Sequence, residues 1–302
     1  MRVAITGASG FIGSALARDL LADGHEVIRL VRREPRAADE ARWDPYAGTT
    51  QPGLSAALEG TDAVVHLAGA GIGDRRWTTA YRRQIRDSRV IGTRTLAEVI
   101  GGLSTPPGVL VSGSAVGFYG EGGDRLLDES APVGGGFLGP LVRDWEAATG
   151  PAAEAGIRVA QARSGLVVSP DGGLLGKLLP LFKLGLGARL GNGRQWMSWI
   201  SLPDHIGALR FLIESAEMSG PVNVTGPEPV RNSDFTRAVA RAVRRPAVLA
   251  VPAFALRLAL PGFADESALV SQRALPVRLE AAGFTFRHRT LPPALAELLE
   301  NA

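Results

Sequence analysis

A glycine-rich turn directly after the first apolar run constrains the fold of this chain more than any other feature. Residues 2–13 read RVAITGASGFIG, with three glycines at three-residue spacing. Gly7 suits the left-handed turn where a strand ends, Gly10 allows the backbone to approach a bound pyrophosphate, and Gly13 allows the next helix to pack on the sheet. The first turn of that helix presents free N–H groups and a positive dipole end. The pattern predicts a strand, a tight turn and a helix that bind a dinucleotide.

The composition excludes several other classes of protein. No cysteine occurs among the 302 residues, so the chain has neither disulfides nor zinc–thiolate sites. No apolar run is long enough to span a membrane, and 33 basic residues are interspersed with 30 acidic ones, for a net charge of +3. We therefore expect a cytoplasmic protein, monomeric or homodimeric, that binds a small-molecule substrate but no nucleic acid, membrane or metal ion.

Short apolar runs alternate with helical patterns along the first half of the chain. The runs at 27–31, 63–68, 109–115 and 158–163 predict strands, and the helices between them predict parallel pairing. The predicted class is α/β: a Rossmann doubly wound parallel sheet with a smaller C-terminal α/β domain on the substrate side.

The predicted domain boundaries follow from a change in this alternation after residue 168. Residues 1–168 are expected to form the dinucleotide-binding domain, and residues 203–226, a helix and a strand, to return to it. Glycines interrupt the apolar stretches of residues 169–202. We assign residues 169–202 and 227–302 to the smaller domain.

The end of the second strand predicts which dinucleotide is bound. A carboxylate at this point binds the adenosine ribose hydroxyls, whereas this chain reads Val31-Arg32-Arg33. An arginine binds a 2′-phosphate through charge-assisted hydrogen bonds. We therefore predict NADP(H) rather than NAD(H), with Arg32 as the main ligand and Ser9 as a helper. The alternative is that both arginines are ordinary surface charges.

Further residues fall at the strand ends, where ligands bind in open parallel sheets. Residues 67–69 end one predicted strand, Ser112 and Ser114 end the next, and Tyr119 follows in a glycine-rich loop. Asp44 is placed to accept a hydrogen bond from the adenine amine, although an aspartate before proline is also typical of a turn. The residues predicted to contact the cofactor are Gly7, Ser9, Gly10, Phe11, Ile12, Gly13, Arg32, Asp44, Leu67, Ala68, Gly69 and Ser112.

On residues 6–13, 66–69 and Ser114, the chain resembles the extended short-chain dehydrogenase/reductase superfamily. It is similar over its whole length to an atypical branch, the "epimerase family" proteins, which are relatives of NAD-dependent epimerases and dehydratases. The matching segments are 76–78, 88–89, 112–115, 118–120, 170–173, 193–196, 198–200 and 272–276. The resemblance implies a Rossmann fold, NADP(H) and a substrate pocket between the two domains.

The chain departs from that superfamily at its catalytic Tyr-x-x-x-Lys pair. The tyrosine of this pair moves the proton, and the lysine lowers its pKa. Four residues after Tyr46, Tyr81 and Tyr119 stand a threonine, an isoleucine and a glycine, so the pair is absent. Counting back from Glu146, which matches a glutamate that commonly follows the motif, places the two positions near Leu138 and Val142.

The asparagine of the superfamily's catalytic tetrad falls on Arg89, and only Ser114 of the tetrad remains. One reading is an oxidoreductase in which Ser114 polarises a carbonyl, Tyr119 or a water is the acid, and Arg89 supplies positive charge. A second reading is an NADP(H) sensor or scaffold without turnover. A third, a nucleotide-sugar epimerase, is disfavoured because the tyrosine and lysine are absent.

Three residues of the second half are candidates for the substrate pocket. Lys177 lies in a glycine-rich segment and is either a pocket residue or a solvated lysine. Trp196 and Trp199 either stack on a substrate or pack in the core. His66, at a strand end, is more typical of a structural histidine than of a base.

Overall fold

The structure, a computed structural model, describes residues 1–300. Its strands are β1 (Arg2–Thr6), β2 (Glu26–Val31), β3 (Glu40–Arg42), β4 (Ala63–His66), β5 (Val109–Ala115), β6 (Leu126–Leu127), β7 (Arg158–Ser164), β8 (Leu166–Val168), β9 (Ala188–Leu190), β10 (Trp196–Met197), β11 (Trp199–Ser201), β12 (Gly220–Val224), β13 (Val230–Arg231), β14 (Leu249–Val251) and β15 (Arg273–Ala274). Its α-helices are α1 (Phe11–Ala22), α2 (Pro52–Leu58), α3 (Thr79–Gly101), α4 (Leu138–Ala147), α5 (Gly150–Glu154), α6 (Gly173–Lys183), α7 (Leu202–Glu214), α8 (Asn232–Ala242), α9 (Ala253–Ala259), α10 (Val277–Ala281) and α11 (Leu291–Leu299). None of the helices within residues 1–300 combines the length and apolar character needed to cross a membrane.

Seven of the strands form one sheet in the order β12-β7-β5-β4-β1-β2-β3. β1 pairs with β2 and β4, β2 pairs with β3, and β4 pairs with β5, all in parallel. The connection from β1 to β2 carries α1, and the connection from β4 to β5 carries α3. The predicted α/β class with a Rossmann doubly wound sheet is confirmed.

The parallel register aligns three polar residues at the carboxyl edge of this sheet. Thr6 at the end of β1 lies opposite His66 at the end of β4. His66 in turn lies opposite Ser112 on β5. Ligands of open α/β sheets bind beyond this edge, so the register fixes where a functional site is to be sought.

The turn between β1 and α1 needs glycine at two positions for different reasons. Gly7 has a φ of +69°, in the left-handed region that side chains with a Cβ disfavour. A Cβ on Gly13 would lie 2.2 Å from the carbonyl oxygen of Gly7, closer than any non-bonded contact allows. The helix therefore starts directly against the strand end, as the glycine spacing predicts.

The chain divides into two compact units, of which the first comprises Met1–Ser114, Leu141–Ala162 and Leu209–Val222. Its core lies between the sheet and helices α2, α3 and α5. The largest buried contributors include Leu30, Trp43, Leu96, Ile100 and Leu110.

The second unit comprises Ala115–Pro140, Arg163–Ala208 and the described residues from Asn223 onward. Its main core joins α6, α8, β11 and α11, with Phe182, Trp199, Phe235 and Leu295 among the buried side chains. A smaller cluster contains Tyr119, Leu127 and Ala274.

These boundaries differ from those predicted from the sequence. The prediction assigns 115–140 and 163–168 to the first domain, whereas these segments belong to the second unit. The return predicted at 203–226 is shorter in the structure, at Leu209–Val222. The physical reason is long-range packing: β6, within 115–140, pairs with β15 near the end of the chain. Residues 301–302 of the predicted second domain lie outside the described part.

Candidate cofactor and substrate site

The start of α1 presents open backbone N–H groups that suit a phosphate. No side chain caps this helix, and no acidic residue lies in its first turn. Ser9 and Gly10 are exposed, and Phe11 and Ile12 are half-buried. The N–H groups of the first turn have no intrahelical partners. A Cβ on Gly10 would meet only the carbonyl oxygen of Gly7 within 4 Å, so the backbone here is open to a ligand.

The two arginines after β2 have different environments, which bears on the cofactor. Arg33 donates two hydrogen bonds to the carboxylate of Glu40, at 2.8 and 2.5 Å, and holds the pKa of Glu40 at about 2. Arg32 is exposed and has no hydrogen bond or ion pair with any residue of 1–300. Arg32 is therefore the guanidinium that is available for a 2′-phosphate.

Asp44 follows β3 and forms the turn that the alternative interpretation anticipates. Its Oδ1 accepts a hydrogen bond from the backbone N–H of Tyr46 at 2.9 Å. Its own N–H donates to the side chain of Gln51, also at 2.9 Å. One carboxylate oxygen is thus engaged in the turn. The other oxygen makes no hydrogen bond within residues 1–300, which leaves an acceptor at the position predicted for adenine recognition.

Thr6 joins the ends of β1 and β4. Its Oγ1 accepts hydrogen bonds from the backbone N–H groups of Leu67 and Ala68, both at 3.1 Å, and lies 2.7 Å from Nδ1 of His66. Because the oxygen already accepts twice, its own proton points to Nδ1, and the histidine carries its proton on Nε2. Burial, together with the charge of Arg89, lowers the pKa of His66 to about 4. His66 is a neutral structural residue, in line with the sequence interpretation.

Gly69, directly after this junction, is exposed and covers the guanidinium of Arg89. A Cβ on Gly69 would lie 3.4 Å from Cζ of Arg89. Nη1 of Arg89 donates to the carbonyl oxygens of Ala70 and Ile85, at 2.9 and 3.1 Å, and the group lies 5.1 Å from the ring of Trp145. Burial lowers the pKa of Arg89 to about 10.

No acidic side chain pairs with Arg89 anywhere in residues 1–300. Its Nε and Nη2 make no hydrogen bond there, yet neither is fully buried. A partly desolvated cation with two open donors is arranged to receive an anion or a developing oxyanion. The role of Arg89 as the positive charge of the site stays a prediction.

Ser114 is bonded to a carboxylate. Its Oγ donates to Oε1 of Glu146, on α4, at 2.6 Å, and the serine is buried. In the sequence, Glu146 marks only the position of the missing motif, and no general base is evident. The signal was present in the spacing, since a glutamate one helical turn beyond the expected lysine shares its helix face.

Apolar side chains occupy the positions of the missing tyrosine and lysine. Leu138 and Val142 on α4 are both buried. These residues have no proton to transfer and no charge to hold a ribose. Any proton transfer at the strand ends therefore depends on other polar groups than a tyrosine–lysine pair.

The hydroxyl of Tyr119 is buried and has hydrogen-bond partners on both sides. It is 2 % exposed, and its hydroxyl donates to Oδ1 of Asn223 at 2.7 Å while accepting from Nη1 of Arg163 at 3.0 Å. The single phenolic proton is thus used inside the second unit. Burial also raises the pKa of Tyr119. Tyr119 therefore packs inside the second unit with a satisfied hydroxyl, and its predicted role as the acid stays a prediction.

Ser112 contributes no side chain to the surface either. It is fully buried, and its Oγ donates to the carbonyl oxygen of Gly113 at 3.1 Å. Neither the side chain nor the backbone of Ser112 is exposed to a ligand in this structure.

The three residues predicted for the substrate pocket have different environments. Trp199 is fully buried in the core of the second unit and donates from its indole N–H to the carbonyl oxygen of Glu228. Trp196 is half-buried, with the guanidinium groups of Arg231 and Arg273 at 4.2 and 4.3 Å from its ring centre. Both rings already have packing partners. Lys177 is exposed on α6.

Comparison with known proteins agrees with this architecture. Residues 3–140 match the model of the NAD dependent epimerase/dehydratase family, and residues 251–298 match a domain of unknown function, DUF1731. The chain is 50% identical to "Epimerase family protein Mb2239" of Mycobacterium bovis, over 97% of this chain and 96% of that protein.

Two solved structures are similar as well. Human epimerase family protein SDR39U1, solved with NADPH, has a TM-score of 0.90 and 31% identity, with both chains covered completely. A nucleoside-diphosphate sugar epimerase from Corynebacterium glutamicum has a TM-score of 0.82 and 39% identity, over 99% of this chain and 58% of that one. These matches, together with the parallel sheet and the glycine turn, place the chain in the NAD-dependent epimerase/dehydratase family, within the atypical short-chain dehydrogenase/reductase branch of epimerase family proteins.

Proposed function

We propose that this protein is an NADP(H)-dependent oxidoreductase acting on a small carbonyl or alcohol compound, with Ser114 and Glu146 in place of the missing tyrosine and lysine. The observation that carries the proposal is the 2.6 Å hydrogen bond from Ser114 Oγ to Glu146 Oε1. It puts a hydroxyl that can approach a substrate oxygen in contact with a carboxylate that can hold its proton.

The cofactor is assigned from residues that fit it. The uncapped start of α1 and the open backbone at Gly10 suit a pyrophosphate, and the unpaired guanidinium of Arg32 suits a 2′-phosphate. The NADPH bound to the similar human protein supports the same assignment. When bound, the cofactor supplies or accepts the hydride.

Residues of the chain transfer the proton and stabilise negative charge on the substrate oxygen. In the reducing direction, Ser114 Oγ gives its proton to the carbonyl oxygen that becomes the alcohol, and Glu146 relays a proton from solvent to Ser114. In the oxidising direction, the alcohol proton passes to Ser114 and from there to the Glu146 carboxylate. The open donors of Arg89 stabilise negative charge on the substrate oxygen. One proton and one hydride are exchanged in each turnover.

One observation favours a second candidate, a sensor that binds NADP(H) without consuming it. Leu138 and Val142 bury apolar side chains where the superfamily has its tyrosine and lysine. A protein that only reports the cofactor needs neither group. The sensor shares the cofactor site but not the function of Glu146.

The test is to titrate the purified protein with NADPH and NADH and then to follow NADPH absorbance with a panel of aldehydes, ketones and keto acids. We expect tighter binding of NADPH, turnover of at least one carbonyl class, and a loss of about a hundredfold in kcat for Glu146→Gln with cofactor affinity retained. Tight binding with no consumption across the panel would establish the sensor instead. Failure to bind either dinucleotide would overturn both.

A further inference from the structure

The charges of this chain are less evenly mixed than the totals indicate. Residues 172–203 and 235–264 contain no aspartate or glutamate, although they carry nine lysines and arginines. Both segments belong to the second unit. They contact each other directly, since β9 of the first segment pairs with β14 of the second and Arg245 donates to the carbonyl oxygen of Lys183 at 3.1 Å.

The arginines of the second segment form a shallow surface cleft of about 320 Å³ at the end of α8. Its lining includes Arg237, Arg241, Arg244 and Arg245. Arg237 pairs with Asp234, whereas Arg241 and Arg244 have no partner within residues 1–300. The cleft therefore presents open guanidinium groups to solvent.

Arg244 occupies a backbone position that disfavours arginine. It is the one residue other than glycine with positive φ in the described chain, at +54°. Its N–H bonds to the carbonyl oxygen of Arg241, and that of Arg245 bonds to Ala240, so Arg244 is the left-handed residue of a helix-ending Schellman turn. Glycine is the usual residue there. An arginine held in such a conformation points to a use for its side chain.

Exposed apolar side chains are concentrated in the same two segments. Of the fifteen large hydrophobic residues exposed in the described chain, eight lie between 181 and 260, all within the two acid-free segments. The register of β9 with β14 brings the residues before each strand together, and α9 follows β14 after one residue. The most exposed are Leu184, Leu186, Val248, Phe254 and Leu258, with Leu184, Val248, Phe254 and Leu258 each more than 70% exposed.

We propose that this face, formed by residues 181–190 and 241–260 and here named the basic–apolar face, binds the surface of a membrane that contains anionic phospholipids. The arginines of the cleft would contact the phosphate groups, and the exposed leucines, valine and phenylalanine would enter the boundary between headgroups and acyl chains. The protein would lie on the membrane without spanning it.

Two other occupants fit the observations less well. A two-fold dimer through this face would bury the unpaired arginines of both copies in one interface, and neither acid-free segment offers a carboxylate to pair with them. A nucleic acid offers phosphates for the arginines, but the exposed side chains are mainly aliphatic and do not stack on bases. Anionic lipid satisfies the charge and the apolar surface together.

The test is co-sedimentation of the full-length protein with vesicles of phosphatidylcholine alone and with vesicles in which about a third of the lipid is phosphatidylglycerol. We expect binding to the anionic vesicles only. Arg241→Gln should weaken it about fivefold, whereas Arg83→Gln, which removes an exposed and unpaired arginine from α3, should change it by less than about twofold. Leu258→Ser should weaken it about threefold.

The Arg244→Gly variant distinguishes a loss of vesicle binding from a loss of folding stability. Glycine adopts the left-handed conformation without strain, so this variant should melt at or above the wild-type temperature and still bind the anionic vesicles about fivefold more weakly. Equal losses in the Arg83 and Arg241 variants would show a general charge effect and overturn the proposal. Absence of vesicle binding, or a dimer in light scattering that Leu258→Ser dissociates, would overturn it as well.

Discussion

The hydroxyl of Thr6 donates to Nδ1 of His66 across the β1–β4 pair, at 2.7 Å, and the same oxygen receives the N–H groups of the two residues that follow β4. One side chain thereby sets the position of residues 67–69 and the tautomer of the histidine. A Cβ on Gly7 would lie only 3.0 Å from the backbone of Leu67 and Ala68, so the glycine turn and this loop are in direct contact. The site is held together at this junction.

The buried histidines should make the protein less stable as the pH falls. His66 and His205 each have a pKa lowered to about 4 by burial. The unfolded chain takes up these protons near pH 6.5, whereas the folded protein resists protonation until about pH 4, so the stability present above pH 6.5 is lost between these values. Each histidine contributes up to about 3 kcal/mol to this loss.

His66→Asn offers a direct measurement of that contribution. Its amide oxygen can accept the Thr6 proton in place of Nδ1, and it does not titrate. We expect urea unfolding of the variant to show a smaller loss of free energy between pH 6.5 and pH 4 than the wild type shows. A loss identical to that of the wild type would mean that His66 is not the titrating group.

The cofactor preference should depend on Arg32. Arg32→Asp replaces a free guanidinium by a carboxylate that repels a 2′-phosphate, and we expect NADPH affinity to fall about a hundredfold with NADH affinity nearly unchanged. Isothermal titration calorimetry measures both. The matched control is Arg36→Asp, the same change of charge at an exposed arginine four residues away, which should alter NADPH affinity by less than about threefold. Similar losses in the two variants would indicate a general electrostatic effect.

Gly13 should tolerate no side chain. In Gly13→Ala the new methyl group would lie 2.2 Å from the Gly7 carbonyl oxygen, and both partners are backbone held by the sheet and the helix. We expect the free energy of unfolding to fall by more than about 2 kcal/mol, together with a loss of cofactor binding. Gly53→Ala on α2 is the control, since a Cβ there meets nothing within 4 Å, and its stability should be equal or slightly higher.

Tyr119→Phe distinguishes a packing role from a catalytic one. Removing the hydroxyl takes away the donor to Asn223 and an acceptor of Arg163, which should destabilise the protein by about 1–3 kcal/mol in chemical unfolding. Below the unfolding transition, kcat should stay within about threefold of wild type. A drop of a hundredfold or more with stability intact would restore Tyr119 as the proton donor.

Local features of the site could be read from the sequence, and long-range ones could not. The glycine turn and the arginines directly after β2 are each formed by residues close together in the chain, so the sequence alone reveals them. The structure adds that Arg33 is bonded to Glu40, which leaves Arg32 available for a 2′-phosphate. Tyr119 is different, because its hydrogen-bond partners lie 104 and 44 residues away in the sequence. Contacts between residues so far apart produce no recognisable spacing in the sequence. Trp199 is likewise buried by side chains of α6, α8 and α11, which come from three separate segments of the chain.

The charge distribution shows a further limit of sequence totals. Basic and acidic residues nearly balance over the whole chain, which predicts no nucleic-acid partner, and the lack of a long apolar run predicts no membrane partner. The balance hides two acid-free segments whose strands pair with each other. A count of charges within windows of about thirty residues reveals each segment, but only the β9–β14 pairing shows that the two segments are in contact.

The close packing around Gly7 and Thr6 also bears on the thermodynamics of ligand binding. The glycine turn, the first turn of α1 and residues 67–69 are tied to the sheet by backbone contacts and by three hydrogen bonds to one hydroxyl. A cradle that is already ordered loses little conformational entropy when a ligand enters it. The contacts that order these residues during folding therefore also favour dinucleotide binding, because little further ordering is needed when the ligand enters.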